Sequence, residues 1–146
     1  MSEKSIFSIA YKALKNILRG MIPGKKPVET LAKSGMEAKL TFCKCGCGFE
    51  VTRELIVKLA KAESISGLTF RINSGARCLE YNRHIGSTDT SSHIKGLAVD
   101  LHAPDGPRRY RIVKSLLEAG FRRIGVARAF IHADIDTDKV DTVYPY

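Results

Sequence analysis

The chain reads as an α+β domain, a small antiparallel sheet flanked by helices, and three observations predict it. Residues 97–102 and 130–136 alternate apolar and polar side chains with period two, the pattern of strands with one face in a core. The stretches holding Leu55 and Leu59, and Val113 and Leu116, repeat apolar residues at three-to-four spacing, as helices do. Helical and strand patterns mix without the regular alternation that builds a parallel sheet.

The elements follow in order. Residues 4–22 place Ile6, Phe7, Ala10, Leu14, Ile17, Leu18 and Met21 on one face, with Lys4, Lys12, Lys15 and Arg19 between them. This is a basic amphipathic helix, ended by Gly20 and Pro23-Gly24 and followed by a short linker. Thr52 is placed to cap a helix running to about Ala62 that buries Leu55, Ile56, Leu59 and Ala60. Residues 68–72 alternate as a strand leading into Asn73-Ser74-Gly75. The polar stretch 82–95 reads as a loop, and 96–103 as a second strand. Asp105-Gly106-Pro107 opens a helix with proline in its first turn, facing Tyr110, Val113, Leu116 and Leu117 inward and stopping at Gly120. Residues 124–126 and 130–136 are the last strands.

At 146 residues, with 44% hydrophobic and 27% charged residues, the composition suits one globular domain. The net charge of +9 is uneven: residues 1–44 carry nine Lys/Arg against three Glu. A basic amphipathic segment over residues 1–26 suits contact with an anionic membrane or cell-wall polymer, or else packing on its own domain or a partner. Nucleic acid is disfavoured, because no recognition motif accompanies the charge. No apolar run approaches the ~20 residues that span a bilayer. Lys12 and Lys15 interrupt any signal-peptide core, so no conventional secretion signal is expected.

The chemistry lies in Ser91-Ser92-His93-x-x-Gly96-x-Ala98-x-Asp100 and Phe130-Ile131-His132-Ala133-Asp134. Strand alternation puts Ala98, Asp100 and His102 on one face of their strand, and Phe130, His132, Asp134 and Asp136 on one face of theirs. Acids on adjacent strands repel unless a cation or a paired base lies between them. His93, in the turn before the first strand, folds back over Asp100. Two histidines and an aspartate leave a fourth zinc position for water, as a catalytic site requires. His102 is a rival ligand. Asp134 is the candidate general base, and the alternative for it is to orient a ligand imidazole.

These blocks resemble the zinc D-alanyl-D-alanine carboxypeptidase family, peptidoglycan peptidases that share a fold with the hedgehog signalling domain. The run Ile72-Asn73-Ser74-Gly75-Ala76-Arg77-Cys78-x-x-Tyr81-Asn82 looks like the family's other block, and Gly125-Val126 fits the same scheme. The resemblance covers roughly residues 40–137. It implies a hedgehog/DD-peptidase-like fold and zinc ligands His93, Asp100 and His132. It implies too that Arg77 holds a substrate carboxylate or the developing oxyanion, and that Ser91 orients the turn or touches substrate. Gly96 would let the backbone bend close to the site. Some members carry His two positions before the last ligand, where this chain has Phe130; others carry an acid three before it, here Ala129. Residues 36–146 would form the zinc peptidase domain, after an N-terminal helix and linker over 1–35.

The expected activity is hydrolysis of a peptidoglycan stem peptide, as a D-Ala-D-Ala carboxypeptidase or an L-Ala-D-Glu type endopeptidase. The alternative is a non-catalytic, zinc-stabilised cell-wall-binding module on the same fold. A small domain with a basic leader suits cytoplasmic synthesis and action at the cell wall, as in a phage lysis or virion-associated enzyme. Cys43, Cys45, Cys47 and Cys78 form a structural zinc site or disulfides; a loop-to-core link through Cys78 is the favoured reading.

Overall fold

The computed structural model describes residues 42–146. The helix expected over 4–22, its linker, the contact segment 1–26 and the boundary at 35/36 lie outside the described residues. Among the described residues, no helix is long and apolar enough to cross a membrane.

Helix α1, Arg53–Ser66, begins where Thr52 Oγ1 accepts a hydrogen bond from the Leu55 amide at 3.4 Å. It runs past the expected stop at Ala62, because Gly67 is the first residue suited to the left-handed C-cap, at φ 62°. Its buried residues are Leu55, Leu59, Ala62 and Glu63, while Ile56 and Ala60 are only half-buried. Strand β1 is Ile72–Ser74, not the expected 68–72. The Leu68 and Phe70 amides are committed to Ser66 Oγ and Glu63 Oε1, at 3.0 and 2.6 Å, so this stretch finishes the helix instead of joining a ladder.

The expected loop at 82–95 is partly helical. Helix α2, Leu79–His84, is capped by Cys78, whose Sγ accepts from the Tyr81 amide at 3.4 Å. A six-residue helix with a cysteine cap shows no periodicity to read. A 3₁₀ turn spans Ser92–Lys95. Strand β2 is Ala98–His102. Helix α3, Gly106–Ala119, is capped by Asp105, which accepts from the Arg108 amide at 2.7 Å, and it ends at Gly120.

Tyr110 and Leu117, expected inward on α3, are exposed at 69% and 49%. The buried stripe runs through Ile112, Ser115, Leu116 and Ala119. At 3.6 residues per turn, Tyr110 and Leu117 lie roughly 140–160° around the helix from Ile112.

Strands β3 (Arg123–Val126), β4 (Phe130–Asp134) and β5 (Thr142–Pro145) complete a sheet of order β1-β2-β4-β3-β5. The first four are antiparallel neighbours, and β5 adds in parallel to β3. The fold class is α+β as expected, with β5 an unforeseen edge strand that makes the sheet mixed. The core packs Leu55 and Leu59 of α1 and Ile112 and Leu116 of α3 with Val99, Leu101, Ile124 and Ile131 of the sheet. One sheet face is thereby spent on the core, and the polar residues of β2 and β4 hold the other.

Candidate metal centre

Antiparallel register sets Asp100 of β2 directly opposite His132 of β4. His93 arrives from the 3₁₀ turn, where Ser91 Oγ accepts from the His93 amide at 3.4 Å. Gly96 ends that turn at φ 68°, and a Cβ there would stand 2.8 Å from the Glu50 carbonyl oxygen. The glycine therefore serves both the left-handed backbone and the close approach of the chain before α1.

The three side chains converge. Asp100 Oδ1 lies 3.0 Å from His132 Nδ1 and 3.3 Å from His93 Nε2. One ligand atom from each of the three lies within 4.8 Å of the others, and all three residues are buried. His93 Nδ1 donates to the Gly75 carbonyl at 2.6 Å, so Nε2 carries the lone pair. That Nε2 is buried and has no hydrogen-bond partner. His132 is held from the other side, with Nε2 3.0 Å from Asp134 Oδ2 and Nδ1 turned to Asp100. Zinc bonds of about 2.0–2.2 Å would set tetrahedral donors about 3.4 Å apart, a few tenths from these spacings. The donor set fits zinc.

Electrostatics point the same way. Burial pushes the Asp100 carboxyl up, but its hydrogen bond with His132 and the close approach of both imidazoles overcome it and hold the group well below the usual carboxylate range. Burial disfavours the His132 imidazolium, yet its bonds to Asp100 and Asp134 outweigh that and raise its pKa. The site is built for a positive charge between buried groups.

The sequence profile of the peptidase M15 family matches residues 29–135. The chain belongs to that family, the zinc D-alanyl-D-alanine carboxypeptidases. It is a zinc metallopeptidase by membership, and His93, Asp100 and His132 are the group that could hold the metal. No curated protein matches the chain.

The remaining expected residues of the M15 site fall around this cluster. Arg77, 8% exposed, donates from Nη2 to Asp100 Oδ2 at 2.9 Å and from Nε to Ser74 Oγ at 3.0 Å. Ser91 caps the turn that carries His93. Asp134 is fully buried and faces the His132 nitrogen turned away from Asp100; Arg123 Nε lies 3.1 Å from the same Oδ2, and the Asp136 amide donates to Oδ1 at 3.2 Å. His102 pairs with Phe130 at the other end of β2 and stands outside the converging group.

Several contacts around the site had no signal in the sequence. Ser92 Oγ donates to Asp136 Oδ2 at 3.0 Å, and Lys95 Nζ lies 3.0 Å from both Asp136 oxygens, tying the His93 turn to the end of β4. Tyr146 stacks on His132 with ring centroids 5.3 Å apart and meets Phe130 edge-on at 5.2 Å. Gly125 makes room for it, since a Cβ there would lie 2.6 Å from Tyr146 Cδ2. Only the parallel docking of β5 brings Tyr144 and Tyr146 here, and the alternation of β5 is too short to reveal that.

Proposed function

We propose that this M15 peptidase hydrolyses peptide bonds in peptidoglycan stem peptides, as a D-Ala-D-Ala carboxypeptidase or an L-Ala-D-Glu type endopeptidase, acting at the cell wall. The observation that carries the reading is the buried His93–Asp100–His132 convergence with the Arg77 guanidinium fixed beside it.

His93 Nε2, His132 Nδ1 and an Asp100 oxygen would hold the zinc. When bound, zinc supplies an acidified water, of pKa near ~7, and polarises the carbonyl under attack. The chain's own residues set the geometry. The Gly75 carbonyl and Asp134 each fix one imidazole in the tautomer and orientation that presents its free nitrogen. Asp134 acts here as a positioning residue. Ser74 and Asp100 lock the Arg77 guanidinium plane, leaving its other N–H donors to hold a substrate carboxylate or a developing oxyanion. The Tyr146 ring lies stacked along one side of His132.

The test is a muropeptide digest followed by mass spectrometry, comparing wild type with His132→Ala. A new amine and a defined mass loss, absent in the variant, support the reading and name the bond. A zinc-loaded wild type that binds sacculi and releases nothing would sink it in favour of the binding-module alternative.

A further inference from the structure

We propose that Cys43, Cys45, Cys47 and Cys78 form a second metal site, a structural zinc tetrathiolate distinct from the His93–Asp100–His132 centre. One sulfur from each lies within 4.8 Å of the other three, although Cys78 is far from the rest in sequence. All four are free thiols.

The spacings suit a metal better than disulfides. Zinc–sulfur bonds of about 2.3 Å place tetrahedral sulfurs about 3.8 Å apart. Cys45 Sγ lies 3.2 Å from Cys43 Sγ and 3.5 Å from Cys78 Sγ. A disulfide would satisfy one of these two contacts and break the other, whereas one ion at the centre satisfies both and takes in Cys47.

The backbone is arranged to support thiolates. The Cys78 amide donates to Cys43 Sγ at 3.3 Å, and the Tyr81 amide donates to Cys78 Sγ at 3.4 Å. Hydrogen bonds of this kind favour the charged sulfur. Gly46 and Gly48 take φ values of 82° and 81°, yet a Cβ at either would meet nothing within 4 Å. The glycines are there for backbone conformation alone. They let a Cys-x-Cys-x-Cys run curl so that three sulfurs face one point. Each thiol would give up its proton to solvent as its sulfur binds, so the site loads better as pH rises.

The site also has a structural purpose. Cys78 follows Arg77, whose amide donates to the His93 carbonyl at 3.1 Å, and Gly75 supplies the carbonyl that orients His93. A metal at the cysteines would clamp the 43–47 loop onto the segment that positions both residues.

The test counts metal in the full-length protein, purified under reducing conditions without chelator. Wild type should hold two zinc ions per chain, Cys45→Ser/Cys47→Ser one, and His132→Ala one. Cobalt substitution should give intense sulfur-to-metal charge-transfer bands in wild type and in His132→Ala, and none in the cysteine variant. Should the cysteine variant fail to fold, the cobalt spectrum of His132→Ala alone decides. A single zinc in wild type, lost with His132→Ala, would overturn the proposal, as would disulfide-linked cysteines in a separate wild-type sample alkylated directly at lysis with no reductant present. These readouts are independent of which bond the enzyme cuts, so failure of the peptidoglycan reading leaves them intact.

Discussion

Asp134 Oδ2 sits 3.0 Å from His132 Nε2, which leaves Nδ1 as the nitrogen that faces Asp100. The carboxylate is therefore behind the imidazole relative to the metal centre. Its remaining contacts, to Arg123 and the Asp136 amide, hold it there.

This relationship separates two roles for Asp134. As a positioning residue, its loss weakens metal binding, and partners of this kind typically contribute 10–100-fold in metal affinity or activity. Asp134→Asn should lower zinc affinity by about that factor, while saturating zinc restores most of kcat. A competitive chelator titration, followed by rates at saturating zinc, measures both. A variant that keeps wild-type zinc affinity and loses activity would instead make Asp134 the proton acceptor.

The raised pKa of His132 sets a pH limit on metal loading. Burial disfavours its charged form, but Asp100 and Asp134 reverse that, so the metal-free ring keeps its proton to higher pH than a free histidine. The proton must leave before Nδ1 can bind zinc. Zinc affinity should therefore fall as pH drops, starting above the ordinary histidine value of about 6.5. Asp134→Asn replaces one of the two carboxylates with a neutral amide and should move the midpoint to lower pH. Zinc titrations across a pH series would show it, and an unmoved midpoint would count against this account.

Tyr146 should contribute through its ring. Tyr146→Phe keeps the stack on His132 and should retain most activity, whereas Tyr146→Ala should raise KM several-fold. Gly125→Ala should resemble Tyr146→Ala, because the new methyl takes the space of Tyr146 Cδ2. Steady-state kinetics on all three tests this. Equal loss in Tyr146→Phe and Tyr146→Ala would transfer the role to the hydroxyl.

The two strand members of the His93–Asp100–His132 group were legible in sequence because strand alternation is a strict code. Asp100 and His132 fall on the polar faces of β2 and β4, and their exact opposition follows once the strands pair. What alternation cannot show is which ring nitrogen points where. That depends on Gly75, a backbone carbonyl with no residue signature, and on Asp134, whose spacing from His132 fits a base as well as an orienting acid. Tyr146 was invisible for a different reason: its place depends on β5 docking parallel to β3, a long-range event. Helix faces were misjudged where apolar residues exceed the buried stripe, as at Tyr110 and Leu117.

Asp136 should set a second, more acidic limit, this time on folding. It is buried, accepts from Ser92 Oγ and pairs with Lys95, and these contacts hold its pKa below the ordinary value although burial alone would raise it. A carboxylate with a depressed folded pKa contributes stability that is complete above its unfolded pKa, about 3.9. That contribution is lost as pH falls through the folded value. Acid should thus act in two steps, zinc release first and loosening of the His93 turn at lower pH. Asp136→Asn removes the second dependence and should cost on the order of 1–3 kcal/mol at neutral pH, the usual scale for a buried charged hydrogen bond. Urea unfolding of zinc-free protein at neutral pH and near pH 3.5 separates the two steps. Equal sensitivity of wild type and Asp136→Asn to acid would place the second step elsewhere.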